Sequence, residues 1–339
     1  MKKSVFLGTL TVAGLMAGAV AAGTLEDVKA RGELNCGSNA GLAGFASPDA
    51  NGVYQGFDVA MCRAIAAAVL GDPMKVKVIP LSSETRFTAL NAGEVDMLAR
   101  TSTWTYSRDT DLKLDFVAVN YYDGQGFMVK KALGVSSAKE LDGATVCIQT
   151  GTTTELNLAD YFKANGMTYE PVPLKDNAEA EQQYSAGACD VYTTDASGLA
   201  ATRATFADAA DHIILPEIIS KEPLALVVRQ GDDQWADIVR WTFNALIAAE
   251  EMGITSANVA EMSAAPGLNP EINRLLGTEG EMGAMMGLDK DWAKRAIMAG
   301  GNYGEIFEAN IGEATTIGLA RGLNAQWTKG GLQYSPPFR

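Results

Sequence analysis

Residues 76–99 read V-K-V-I-P-L-S-S-E-T-R-F-T-A-L-N-A-G-E-V-D-M-L-A. Val76 to Leu81 alternates as a strand with one buried face does. A helix is expected from about Ser83 to Asn91, with Ala92-Gly93 ending it. Val95 to Ala99 is a short apolar run of strand character. Upstream, Leu34 to Gly37 reads as a strand and Phe57 to Leu70 as a helix. Val59, Cys62, Ile65, Ala66 and Val69 share one stripe of that helix, and Gly71-Asp72-Pro73 stops it. The order β-α-β-α-β predicts a parallel sheet with helices on both faces. Phe116 to Val119 and Gly126 to Val129 are further extended runs.

The pattern then restarts. Thr145 to Gln149 reads as a strand, and Gly151-Thr152-Thr153-Thr154-Glu155 opens a helix that runs to Ala164. Tyr169 to Leu174 is a strand, Ala178 to Ala186 a helix, Cys189 to Thr193 a strand and Ala196 to Phe206 a helix. Ile213 to Leu215 and Leu224 to Val228 are strands, and Asp233 to Glu251 is a long helix. Two α/β units in tandem predict two lobes with a cleft between them. The return of the chain near Glu222 predicts that the last third rejoins the first lobe. The expected lobes are 23–127 plus 222–339, and 128–221. From about Ser263 strands are absent, and helical additions plus a tail, Gly318 to Arg339, are expected.

The N-terminus points to export. Met1-Lys2-Lys3 is basic, and Val5 to Val20 is apolar, broken only by small residues. Val20-Ala21-Ala22 before Gly23 offers the small side chains that a signal peptidase wants, and Ala19-x-Ala21 is a legal site one residue earlier. Residues 1–22 are expected to be a signal peptide cleaved near Ala22, with a retained anchor as the competing reading. No later apolar run approaches the ~20 residues needed to span a bilayer. Formal net charge is −14, or −16 without Lys2 and Lys3, which argues against nucleic acid or an anionic membrane surface as partner. Four cysteines fall as Cys36, Cys62, Cys147 and Cys189, with no C-x-x-C. The expected pairing is Cys36–Cys62 and Cys147–Cys189, one bridge per lobe; four free thiols are the alternative. The single histidine, His212, argues against a His-based metal site or catalytic triad. No metal and no cofactor is expected.

Three segments carry chemistry. Asp96 to Arg108 reads D-M-L-A-R-T-S-T-W-T-Y-S-R, a strand that empties into hydroxyls and ends on an arginine. A guanidinium offers a planar fork that a carboxylate accepts bidentately, so this is a carboxylate receptor or else a solvated loop. Gln149 to Glu155 places a glycine before a helix N-terminus, whose free N–H groups suit an anion. Thr152 or Thr153 also suits an N-cap, with Glu155 completing a capping box. Asp195 follows a strand at its carboxyl end, where open α/β sheets bind ligands. It can receive an ammonium or cap the helix at Ala196. Arg108 and Asp195 together would read a zwitterion.

These features resemble the polar-amino-acid family of periplasmic solute-binding proteins, the receptors of ABC importers. Gly56-Phe57-Asp58-Val59 matches the family's G-F-D-V signature, and Arg86 to Asp96 (R-F-T-A-L-N-A-G-E-V-D) its helix-Gly-strand segment. T-S-T-W-T-Y-S-R-D, Q-T-G-T-T-T-E-L, C-D-V-Y-T-T-D-A-S-G-L, K-E-P-L and the tail motifs N-Y-G-E-I-F-E and R-G-L-N-A-Q-W-T-K-G-G-L-Q-Y-S-P-P-F-R are similar to the general L-amino-acid subgroup, which serves glutamate, glutamine, aspartate and asparagine. The resemblance spans nearly all of Gly23 to Arg339.

The resemblance implies a two-lobed periplasmic binding fold of type II, each lobe a mostly parallel sheet with flanking helices, hinged near Phe127 to Lys130 and Ser220 to Leu224. It implies that Arg108 holds the α-carboxylate, with a hydroxyl and amide from Thr103 and a backbone N–H from Thr153 beside Thr152. Asp195 would take the α-ammonium, backed by Thr101. Arg100 would meet the ligand side chain. Ser83 stands where relatives often carry a large apolar or aromatic side chain that packs on the ligand, which favours a ligand with a short polar side chain, or broad specificity, over an aromatic ligand. Ala60 replaces the acidic residue usual after G-F-D-V. The implied partners are an L-amino acid and an inner-membrane permease, the implied state a monomer. Rival readings are an exported dehydratase or lyase on the same fold and a ligand-sensing module.

Overall fold

The computed structural model describes residues 23–265 and 269–339; the expected signal peptide lies outside the described residues. The strands in chain order are β1 (Leu34–Ser38), β2 (Ser47–Pro48), β3 (Tyr54–Gln55), β4 (Val76–Pro80), β5 (Met97–Thr103), β6 (Leu114–Asp123), β7 (Gln125–Lys130), β8 (Ala144–Gln149), β9 (Tyr169–Leu174), β10 (Val191–Asp195), β11 (His212–Ile214) and β12 (Glu222–Arg229). The helices that matter here are α1 (Thr24–Arg31), α2 (Phe57–Leu70), α3 (Arg86–Asn91), α4 (Tyr106–Asp111), α5 (Thr153–Ala164), α6 (Asn177–Ser185), α7 (Ala196–Thr205) and α8 (Asp233–Glu251).

Two five-stranded sheets form the two lobes. Their orders are β4-β1-β5-β12-β6 and β11-β7-β10-β8-β9. In the first sheet β1 runs parallel to β4 and β5, whereas β12 runs antiparallel to β5 and β6. In the second, β8 runs parallel to β9 and β10, whereas β7 runs antiparallel to β10 and β11. Each sheet is therefore less parallel than expected. The cause is the crossing strands: β12 comes back into the first lobe between β5 and β6, opposite in direction to both.

The first crossing is Gly124, between β6 and β7, and not the expected Phe127 to Lys130. Phe127, Met128 and Val129 already pair with β10 inside the second sheet. A side chain at position 124 would come within 2.8 Å of the Ser220 carbonyl and 2.3 Å of Ile218, so only glycine lets the two crossings lie side by side. The chain re-enters the first sheet with β12, which begins at Glu222.

Helix α2 is buried on nearly every side. The expected stripe is inside, and so are Met61, Ala64, Ala67 and Ala68. Helices α8 and Trp292–Gly300 pack on the faces that the sheet does not cover. This is why a helix with no polar face is stable here. The last third supplies those covers and then a tail that docks on the first lobe. Arg321 grips Glu250 with two hydrogen bonds of 3.0 Å. The Asn324 side chain accepts from the Tyr122 N–H at 2.7 Å and donates to its carbonyl at 3.1 Å. It thereby completes β6, an edge strand whose free backbone groups would otherwise be open. Phe338 packs on Trp241 at 5.2 Å between ring centroids.

Disulfides join Cys36 to Cys62 and Cys147 to Cys189, one in each lobe, closing 26- and 42-residue separations. Loops of this size stabilise a fold by about 3–4 kcal/mol each in the chain-entropy model. Reduction is expected to lower the urea midpoint by a corresponding amount. Peptide mapping without reductant should recover the two within-lobe pairs; a Cys36–Cys147 peptide would refute this layout.

Candidate functional site

A cavity lies between the lobes at the carboxyl ends of their strands. On the first-lobe wall stand Arg100, Thr101 and Thr103 of β5, with Asn39 and Ser83. Thr101 holds φ at +40°, a costly conformation for a β-branched residue. Asn39 Nδ2 donates to its Oγ1 at 3.2 Å. Beneath it lies Asp58, whose carboxyl accepts from Asn120 and is pushed up to about 7 by burial, opposed by Asn120 and the nearby Arg100.

Ser83 lies in the cavity because α3 starts late. Ser82 and Thr85 exchange hydroxyl bonds in a turn, so the helix begins at Arg86 and not at Ser83. Ser83 Oγ then accepts from Arg100 Nη2 at 3.2 Å, while Arg100 Nε donates to the Leu81 carbonyl at 3.0 Å. Two of the donor groups of Arg100 are thus occupied, and it reaches into the cavity with less of its fork than expected.

Arg86 has no such ties. It is 3% exposed, lines the cavity and sits over the Phe87 ring at 4.7 Å. Its backbone N–H donates to the Ser82 carbonyl at 3.3 Å, but its side chain makes no hydrogen bond among the described residues, and its Nε is buried without a partner. Burial and then the charges of Arg100 and Arg108 depress its pKa well below the usual range. The sequence reading did not place it at the cavity. A signal was present: an arginine in the first turn of a helix opposes the helix dipole, which favours anions there.

Arg108 is bonded by Nη1 to the Thr103 carbonyl at 3.0 Å and lies 5.2 Å from the Phe87 ring. It does not line the cavity directly, but it faces Glu222 and Asp195. On the other wall, Thr152 caps α5, accepting from Glu155 N at 3.2 Å. Its hydroxyl is used by the cap. Thr153 and Thr154 follow as the first two helical residues, with N–H groups that no helical carbonyl can receive. Gln149 Nε2, also on this wall, is buried and unpartnered.

Asp195 lines the cavity but caps nothing: α7 shows no side-chain cap bond. Its pKa is raised well above the usual range by burial and then by the carboxylates of Asp123 and Glu222, with Arg86 and Arg108 opposing. Asp123, held by Ser197 and the Gly124 N–H, is itself pushed up to about 6, mainly by burial. Three carboxylates thus converge where a cation is wanted. Glu222, from the K-E-P-L motif, was not expected to matter. It accepts Thr103 Oγ1 at 2.6 Å, so the single hydroxyl proton of Thr103 is not available to a ligand carboxylate as expected.

Residues 34–257 match the profile of the bacterial extracellular solute-binding proteins, family 3. The chain belongs to this family. The glutamate/glutamine/aspartate/asparagine-binding protein BztA of Rhodobacter capsulatus is 73% identical to it over 339 residues, 100% of both chains. The general L-amino acid-binding periplasmic protein AapJ of Rhizobium johnstonii is 57% identical over 343 residues, again 100% of both. An ABC transporter periplasmic binding protein from Brucella ovis, solved with glutathione bound, matches with TM-score 0.91 at 59% identity, covering 94% of this chain and 100% of that one. In this solute-binding protein, Arg100, Thr101, Thr103, Thr152, Thr153, Asp195 and Ser83 all line one cavity, and Arg108 lies one contact behind it.

Proposed function

We propose that the cleft binds polar L-amino acids, acidic ones ahead of amides, by closing its lobes on them. The carrying observation is the pairing of an acid cluster around Asp195 with Arg86 and Arg100 on the wall of one buried cleft and Arg108 one contact behind it. A zwitterion matches it. Asp195 takes the ammonium. Arg108 and the N–H groups of Thr153 and Thr154 take the α-carboxylate. Arg86 and Gln149, with the remaining Nη1 of Arg100, take the side chain. Contacts from both lobes favour the closed state by their differential binding energy. The names of BztA and AapJ support this ligand class. The same reading makes the protein a periplasmic monomer, freed of residues 1–22, that hands its ligand to an ABC permease and performs no reaction.

Calorimetric titration of ligand-stripped protein with all twenty amino acids tests it. Glutamate, glutamine, aspartate and asparagine should bind most tightly; no heat with any of them, or turnover of an amino acid, would overturn the reading. The glutathione in the Brucella relative favours adding that peptide as a titrant, since its glutamyl end carries the same zwitterion.

Selectivity should rest more on Arg86 than on Arg100, reversing the weight that the resemblance suggests. Arg86→Ala is expected to weaken glutamate about tenfold more than glutamine, because a charge-assisted bond is roughly twice as strong as a neutral one. Arg100→Ala should weaken both more evenly, through loss of its bonds to Leu81 and Ser83. Titrating both variants with both ligands checks the order.

A further inference from the structure

Glu222 is 1% exposed and stands at the second crossing, beside Asp123. Four donors fill it. Oε1 accepts from Asn157 Nδ2 at 2.7 Å and from Ser220 Oγ at 2.6 Å. Oε2 accepts from Thr103 Oγ1 at 2.6 Å and from Thr153 Oγ1 at 2.9 Å. An ionised carboxylate has about four lone-pair sites and donates nothing, so the count is complete. The donors come from β5, from α5 in the opposite lobe and from the crossing itself. The two threonine oxygens also lie 3.4 Å apart, but the shorter bonds to Oε2 take both of their protons. Ser220 confirms the sense: its oxygen accepts from the Gln125 N–H at 3.2 Å while its proton goes to Glu222.

A hydroxyl that has given away its only proton can still accept. Thr103 and Thr153 line the cavity, and both have spent their protons on Glu222. Both oxygens can then show the cavity only lone pairs. We propose that Glu222 is a positioning residue that makes this wall of the cleft an acceptor surface, so that it admits a ligand ammonium and rejects an analogue without one. Glu222 does this without touching the ligand, and in the same act it ties α5 to β5 across the cleft. The inference rests on the amino-acid reading of the site.

Glu222→Gln tests it. The Asn157 amide requires an oxygen on its side, which turns the new NH₂ toward the two threonines. Their hydroxyls must then accept, and their protons are released toward the cavity. L-glutamate and glutarate, its analogue without the amino group, are titrated against wild type and variant. The ratio of glutamate to glutarate affinity is expected to fall at least tenfold in Glu222→Gln. Equal losses for both ligands would overturn the inference, since a purely structural role or a weaker latch lowers both alike. Should Glu222→Gln not fold, Thr103→Val removes one acceptor at constant shape. It should lower the same ratio severalfold, and an unchanged ratio would overturn the inference equally. A wild type that ignores glutamate would sink the proposed function and this inference with it.

Discussion

Asp195→Asn is expected to raise the stability of the ligand-free protein while cutting amino-acid affinity by roughly 30- to 5,000-fold, the 2–5 kcal/mol typical of losing one partner of a buried charge pair. The two effects share one cause. In the free cleft Asp195 is buried beside Asp123 and Glu222, where its ionised form is disfavoured, and an amide does not carry that cost. In the loaded cleft it is the anion that an ammonium needs. The pH dependence follows. Asp123 is raised to about 6 and Asp195 well above the usual carboxylate range. Between pH ~4 and those raised values the folded free protein holds protons that the unfolded chain has released. Stability of the free protein from these groups is therefore greatest at the acid end of that window and falls as pH rises through it. Ligand ammonium draws the carboxylates back to the ionised form. Binding should then release protons, and affinity should rise with pH over the same window. Calorimetry in buffers of different ionisation enthalpy measures the release, and Asp195→Asn should diminish it. An Asn variant that binds glutamate as tightly as wild type would remove Asp195 from the ammonium site.

Arg108→Ala is the second large effect. It should leave the fold intact and cost about 2–5 kcal/mol of affinity for every amino acid alike, since each presents the same α-carboxylate. Arg108→Lys should recover little. The Arg108 fork already gives Nη1 to the Thr103 carbonyl at 3.0 Å, which aims the remaining donors; a point charge cannot both hold that carbonyl and chelate a carboxylate. Unchanged affinity in Arg108→Ala would show that the α-carboxylate is held by α5 alone.

Much of this was legible in the chain because its causes are local. The stripe of α2, the Thr152 cap of α5 and the place of Asp195 at the carboxyl end of β10 all depend on residues within a few places of one another. Where the causes are distant, sequence reading failed. Glu222 gathers partners at 103, 153, 157 and 220, and nothing in K-E-P-L announces them. The crossing falls at Gly124 because of Ile218 and Ser220, nearly a hundred residues away. Arg86 looked like part of a helix pattern because its exposure to a cleft depends on a turn made by Ser82 and Thr85. In the tail, hydropathy misleads outright: Asn324, Gln326 and Gln333 are buried, whereas Leu323, Trp327 and Tyr334 are exposed. The polar side chains are inside because the tail packs on backbone, and backbone asks for hydrogen bonds rather than oil.

That tail ends far from neutral ground. Its Asn324 clasps Tyr122, two residues short of Gly124, and its last aromatic ring is seated against α8. The tail is thus fastened to the first-lobe sheet two residues short of Gly124, and in the proposed closure residues 125–221 would be the part that moves. A surface tether or a pulling handle fixed at Arg339 would hold the first lobe and leave the second free to swing. A reporter dye at the same place would see nothing of the swing, and one on α6 would see all of it.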